Sequence, residues 1–316
     1  MKMQPGTTLS HPHLQSLGLD AEKAIEEIKK IKLRWIRLGC YWNEIEKTRG
    51  KYDFSRMDRL IEACGKKCLD VVISVGMKAP RWPEYYIPRW LLNEMKPSTF
   101  SKMKSENKFL LDNTLKFIER AVLQYKNFSF VKVLQIENEP LDPSGPNRLS
   151  ISEDFLDKEI KLVKNIGSKK KILVNFWGNR LNKKRLFNKA VENADILGLD
   201  LYPKHAVRIF GKLTKYTGPL VSKNRLIKLS EEIRKKNTDL WLTELQAEPW
   251  EADNDSHSLP NPLSFSPWDF EKNLEFALDL KPSVILFWGF EFWYLRKLEG
   301  DPRYMDAAEK VINKYF

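Results

Sequence analysis

The chain has 316 residues, 42% of them hydrophobic, which is enough for a sizeable core and more than one sandwich or one doubly wound domain needs. Its net charge of +12 is spread over helices, with short runs Lys169-Lys170-Lys171 and Lys183-Lys184-Arg185 at loop or helix edges; no zinc-ligand spacing, RNA-binding signature or recognition-helix pattern accompanies it, so no nucleic-acid partner is expected. No run of 18 apolar residues predicts a membrane span, Met1–Gly6 holds no signal-like apolar run, and Cys40, Cys64 and Cys68 fit no disulfide or metal spacing, so a reducing, cytoplasmic setting is expected, with an exported parent left open.

Short apolar runs alternate with amphipathic segments along the whole chain. Thr7–Ser10 is a weak first strand. Asp20 caps a helix with Ala21, Ala24, Ile25 and Ile28 on one face, and Leu33–Gly39 is the second strand. Ser55 caps a helix with Met57, Leu60, Ile61 and Cys64 inward, and Gly65 ends it. Cys68–Val75 is a β-branched third strand. A helix over 106–126 turns Leu111, Leu115, Ile118 and Val122 inward. Phe130–Ile136 is the fourth strand, Ser152–Ile166 a helix, Lys171–Phe176 the fifth strand and Lys183–Glu192 a short helix. Ile196–Leu201 is the sixth strand, Asn224–Lys236 a helix and Leu240–Thr243 the seventh strand. Ser266-Pro267 has the form of a helix cap followed by proline at the first helical position, and that helix runs to Leu280. Val284–Trp288 is the eighth strand, and Asp301-Pro302 opens a last helix to Lys314.

Eight strand–helix units in strict succession predict an α/β fold, a (β/α)8 barrel occupying residues 1–316 as a single domain. Three strand-to-helix loops are long: 76–104, 203–222 and 246–265. Long loops on one face are what an active-site face requires. The loop after the third strand is rich in aromatics and proline (Trp82, Tyr85, Tyr86, Trp90), fitted either to sugar subsites or to anchoring the loop. His11, His13, His205 and His257 are scattered and form no catalytic order.

Two carboxylates stand at matching strand ends. Glu139 closes Leu134-Gln135-Ile136-Glu137-Asn138-Glu139-Pro140, and Glu244 closes Trp241-Leu242-Thr243-Glu244. An acidic group in such a place is costly to desolvate and usually has a task. Glycoside hydrolysis needs two: one protonated to donate to the leaving oxygen, one ionised to attack or stabilise the anomeric carbon.

Asn138-Glu139-Pro140 with Thr243-Glu244, together with Ile36-Arg37-Leu38 and the stretch from Tyr41-Trp42-Asn43-Glu44 to Gly50-Lys51-Tyr52-Asp53-Phe54, resembles glycoside hydrolase clan A, which includes families 5, 35, 39 and 42. The resemblance implies Glu139 as acid/base and Glu244 as nucleophile. It further implies that Arg37 keeps the nucleophile ionised, Asn138 bonds the sugar 2-hydroxyl, Tyr202 orients Glu244, and Trp288 floors the pocket. Trp42, Trp177, Glu137, Glu248 and Glu291 are expected to line the substrate site. Glu137 is open to a sugar hydroxyl or to Arg37, and Glu248 is an alternative nucleophile. Asp200 stands where family 5 usually has His, and Leu245-Gln246-Ala247 departs from the aromatic-Gly of cellulases. The expected activity is retaining hydrolysis of β-linked oligo- or polysaccharide by a monomer, without cofactor or metal. An exo-acting β-galactosidase or β-xylosidase, a transglycosidase and a glycan-binding barrel without catalysis are the alternatives.

Overall fold

The computed structural model describes residues 2–99, 101–178, 187, 189–210, 212–251 and 260–316. Eight parallel strands close into a barrel: β1 (Gln4–Leu9), β2 (Trp35–Gly39), β3 (Asp70–Val75), β4 (Val131–Ile136), β5 (Lys171–Trp177), β6 (Ile196–Leu201), β7 (Asp239–Gln246) and β8 (Val284–Trp288). Each strand lies beside its chain neighbours, and β1 pairs with β8 from Gln4↔Val284 to Thr7↔Phe287. The helices that follow the strands are α1 (Ala21–Lys30), α2 (Ser55–Lys66), α3 (Lys108–Tyr125), α4 (Glu153–Asn165), α5 (Lys189–Glu192), α6 (Lys223–Lys235), α7 (Asp269–Leu278) and α8 (Arg303–Tyr315). The expected (β/α)8 fold is the observed one. Among the described residues no helix is long and apolar enough to cross a membrane.

The chain divides into two compact units, residues 1–36, 177–181 and 199–316 in the first and 37–176 and 182–198 in the second. In the first, Phe270 packs edge-on against Trp293 at 4.9 Å and against Phe265 at 5.0 Å, while Phe292 meets Tyr304 at 4.7 Å. The Trp293 indole N–H donates to Ala247 O at 2.6 Å, which fixes the chain just past β7. In the second unit Trp42 stacks on Phe117 at 5.0 Å, and Tyr125 meets Phe54 and donates its hydroxyl to Asp58 at 2.9 Å.

Several boundaries differ from the sequence reading, each for a local reason. β1 begins at Gln4 because its ladder with β8 begins there. Ser55 is the first residue of α2 rather than its cap; the Asp53 carboxylate accepts from the Ser55 amide instead. Gly65 lies inside α2, where a Cβ would stand 2.5 Å from the Phe130 ring, so it is there for close packing and not to end the helix. Leu115 is only half-buried, and Thr114 and Phe117 take the inward face of α3 with Leu110, Ile118 and Val122. Ser266 donates to Asp269 from both its amide and its hydroxyl, forming a turn that delays α7 to Asp269. β7 continues three residues past Thr243, so Glu244 lies within the strand. Half of the helix expected over 183–192, the run Lys183-Lys184-Arg185 and His257 lie outside the described residues; Lys189–Glu192 is helical.

The expected long loops carry structure of their own. The loop after β3 includes a helix at Arg89–Met95 and a short strand, Lys102–Met103, paired in parallel with Ser150–Ile151. After β6, His205–Ile209 and Lys212–Thr217 form an antiparallel hairpin. A helix at Phe290–Leu298 follows β8.

Candidate active site

The site residues fall into two groups, one on each unit. In the second unit the group is built around the end of β4. Arg37, without exposed surface, donates from Nη1 to Gln135 Oε1 at 3.3 Å and Asn138 Oδ1 at 3.4 Å. Gln135 donates from Nε2 to Glu137 O at 3.0 Å, Asn138 Oδ1 at 3.2 Å and Asn175 Oδ1 at 3.1 Å. Asn175, from β5, donates to Asn138 Oδ1 at 3.0 Å and accepts from the Glu139 amide at 2.9 Å. Three donors therefore converge on Asn138 Oδ1. A guanidinium can only donate, so the atom facing it must be oxygen. That leaves the Asn138 Nδ2 as the donor this group presents at the strand end.

Glu137 and Glu139 both have left-handed backbone, with φ of 60° and 45°. For residues with a Cβ this costs about 1–2 kcal/mol each. The Asn175 bond to the Glu139 amide and the Gln135 bond to the Glu137 carbonyl oppose its relaxation. The turn places Glu139 at the barrel's carboxyl-terminal rim, partly exposed. Lys78, fully buried, donates from Nζ to the Glu139 carbonyl at 2.7 Å and the Asp142 carbonyl at 3.0 Å.

Glu137 was expected to meet a sugar hydroxyl or Arg37. It instead accepts from the amides of Met77 at 2.8 Å and Lys78 at 2.5 Å and has no exposed surface. Burial pushes its carboxyl up, against the pull of those two amide bonds. Strand alternation would put Glu137 and Glu139 on one face, but β4 ends at Ile136 and the left-handed turn breaks the alternation. Trp42 was expected to line the substrate site. Its ring has no exposed surface, lies flat on Phe117, and its N–H donates to Glu46 at 2.6 Å, so it is core.

In the first unit the group is built around β7. The ladder with β8 runs Trp241↔Val284 and Leu242↔Ile285, then Leu245↔Phe287 and Gln246↔Trp288, so β7 holds one extra residue at Thr243-Glu244. Such a bulge re-aims a side chain, and here it falls on the expected nucleophile. The Tyr202 hydroxyl donates to Glu244 Oε2. Asp200 accepts from the Thr243 hydroxyl at 2.5 Å, and an Asp200 oxygen lies within 4.8 Å of a Glu244 oxygen. Trp250 stacks on Tyr202 at 4.7 Å and 26° and is half exposed.

Trp288 ends β8 as expected and is buried, with its carbonyl taken by the Ala247 amide at 2.9 Å. Glu248 is buried next to Gly289, whose φ is 144° and where a Cβ would stand 2.7 Å from that of Glu248. Glu291, expected in the substrate site, has no exposed surface and accepts from the Ser10 amide at 2.8 Å, tying the end of β1 to the helix after β8. Trp177 is partly exposed at the end of β5, with the His205 ring 6.4 Å away. Asn175, Lys78, Glu159 and Trp250 were not singled out by sequence reasoning. A lone polar residue inside an apolar strand, as in Leu173-Val174-Asn175-Phe176, was the available signal for the first.

No curated protein sequence matches the chain. Residues 16–144 match the model of glycoside hydrolase family 42, described as β-galactosidase. That segment includes Arg37, Asn138 and Glu139. Among solved structures, a polyextremophilic β-galactosidase from the Antarctic haloarchaeon Halorubrum lacusprofundi aligns over 99% of this chain and 58% of its own, at 14% identity and TM-score 0.65. A β-galactosidase from the psychrophilic Marinomonas ef1 aligns over 98% of this chain and 62% of its own, at 12% identity and TM-score 0.60. The chain thus spans about three-fifths of the length of these two β-galactosidases. Xylanase 10B from Thermotoga maritima is matched over 99% of this chain and 95% of its own, at 15% identity and TM-score 0.63. At these identities the likeness is one of fold. The resemblance to glycoside hydrolase clan A read from the motifs is met again by the family model over residues 16–144, and the solved structures share the fold over nearly the whole chain.

Proposed function

We propose that the chain is a retaining β-glycoside hydrolase in which Glu139 is the acid/base and Glu244 the nucleophile. The observation that carries this reading is the placement of Glu244 on a bulge of β7 under the Tyr202 hydroxyl. The Tyr202 hydroxyl donates to Oε2 and orients the carboxylate, and Oε1 attacks C1 of the sugar. In the first step the C1–Oε1 bond forms, the glycosidic C–O bond breaks, and the Glu139 proton goes to the leaving oxygen. In the second, water attacks C1, gives its proton to Glu139, and the ester to Glu244 breaks. Asn138 Nδ2 donates to the 2-hydroxyl, a contact that tightens at the transition state.

The substrate proposed is a β-linked oligo- or polysaccharide; the β-galactosidases and the xylanase of like fold support that class. Trp288, Trp177 and Trp250 are proposed as sugar platforms, and Glu248 as a hydroxyl ligand. The free thiols of Cys40, Cys64 and Cys68 support a reducing setting. Glu244→Gln and Glu139→Gln are expected to abolish most turnover of aryl β-glycosides without unfolding the chain. Azide is expected to restore Glu139→Ala on activated aryl glycosides and yield the β-glycosyl azide. A fully active Glu244→Gln variant would remove the nucleophile assignment.

A further inference from the structure

Behind Glu139 the second unit holds Glu137, Glu159 and Lys78, each without exposed surface. Glu159 projects from α4, which packs on α3 and β4. Among the described residues no N–H or hydroxyl donor reaches either Glu159 oxygen, and Glu137 is the charged neighbour that, with burial, raises its carboxyl. Two carboxylates have no proton to share, so one member of the pair carries one. The Met77 and Lys78 amides can only donate, and both are on Glu137. Those amides favour the charge on Glu137, which leaves the proton to Glu159. With the Lys78 ammonium the cluster is neutral, which deep burial requires. The other titratable groups beside it are Tyr85, whose ring lies 5.3 Å from Lys78 Nζ, and Glu84, which acts on Tyr85.

We propose that Glu159 and Lys78 are positioning residues for Glu139. Glu159 gives Glu137 the hydrogen bond that holds it on the Met77–Lys78 backbone. Lys78, placed by that backbone, holds the Glu139 and Asp142 carbonyls, and with them the left-handed turn that carries the acid/base. Only the role of Glu139 rests on the function proposed above; the positioning itself does not.

Two variants separate the hydrogen bond from the volume: Glu159→Gln keeps a donor, and Glu159→Met keeps the size without one. Amide hydrogen exchange at Glu139, whose N–H is on Asn175 in the native chain, is expected to quicken about tenfold or more in the Met variant and hold within about twofold in the Gln variant, with Leu134 unchanged in both. In kinetics the Met variant is expected to lose about tenfold in kcat/KM on alkyl β-glycosides, which need acid assistance, and nothing on dinitrophenyl β-glycosides, which do not. Unchanged Glu139 exchange in the Met variant, or an equal loss in the Gln variant, overturns the proposal. If the native chain cleaves no glycoside while exchange behaves as stated, the proposed function fails and the positioning stands. If the Met variant does not fold, infrared spectra decide: a protonated-carboxyl band at neutral pH that disappears in the Gln variant supports the proposal, and no such band in the native chain overturns it.

Discussion

Asn175→Ala tests how the acid/base is held. The substitution removes the donor to Asn138 Oδ1 and the acceptor for the Glu139 amide and Gln135 Nε2. Gln135 keeps two acceptors, Glu137 O and Asn138 Oδ1, and Asn138 Oδ1 keeps Arg37 and Gln135. The Glu139 amide loses its bond to Asn175 Oδ1, and a donor deprived of its acceptor costs about 1–3 kcal/mol. The same bond opposes relaxation of the left-handed turn at Glu139. If that whole cost falls on placing the acid, kcat/KM drops roughly fivefold to a hundredfold at 1.4 kcal/mol per tenfold. The assay compares alkyl and dinitrophenyl β-glycosides, with urea denaturation alongside. A loss confined to the alkyl series is expected. A loss equal in both series, or under about twofold in the alkyl series, refutes the reasoning.

Tyr202→Phe removes a hydrogen bond to a charged group, worth about 1.5–3 kcal/mol; kcat is expected to fall roughly tenfold to a hundredfold with the urea midpoint unchanged, and full activity contradicts the orienting role. Trp42→Ala is expected to destabilise the chain by about 3–5 kcal/mol by denaturant titration, as a core aromatic does, and a KM effect without loss of stability would return Trp42 to the substrate site. Burial and Glu137 hold the Glu159 carboxyl well above its ordinary value, so the native chain keeps a proton that the unfolded chain releases. Stability is therefore expected to fall as pH rises above the ordinary carboxyl range, and Glu159→Gln to flatten that fall; parallel pH profiles in urea would contradict it.

The barrel was legible in the sequence because buried parallel strands read as short β-branched runs, and Val71-Val72-Ile73 and Val284-Ile285-Leu286 have no other comfortable reading. Helix starts were less legible. Ser55 and Ser266 have the right chemistry for caps, but their own amides donate to Asp53 and Asp269, and the helices start at or after them. The hairpin of His205–Ile209 and Lys212–Thr217 lay in a stretch expected only as loop, because charged residues interrupt its alternation. The places of Glu139, Glu244, Asn138 and Tyr202 at or near the strand ends were legible from motif and strand position, and their roles are proposals. Glu137 and Glu291 were not placed correctly, since a sequence shows an acidic residue near a strand end but not which backbone amide it will reach. Asn175, Lys78 and Glu159 escaped because their roles depend on side chains that come from separate elements.

The most direct test of the central claim is peptide mapping by mass spectrometry after reaction with a 2-deoxy-2-fluoro β-glycoside bearing a good leaving group, which forms the glycosyl-enzyme and slows its hydrolysis. The account predicts one sugar esterified to Glu244. A label on Glu248, or turnover with inversion and no covalent adduct, would contradict it.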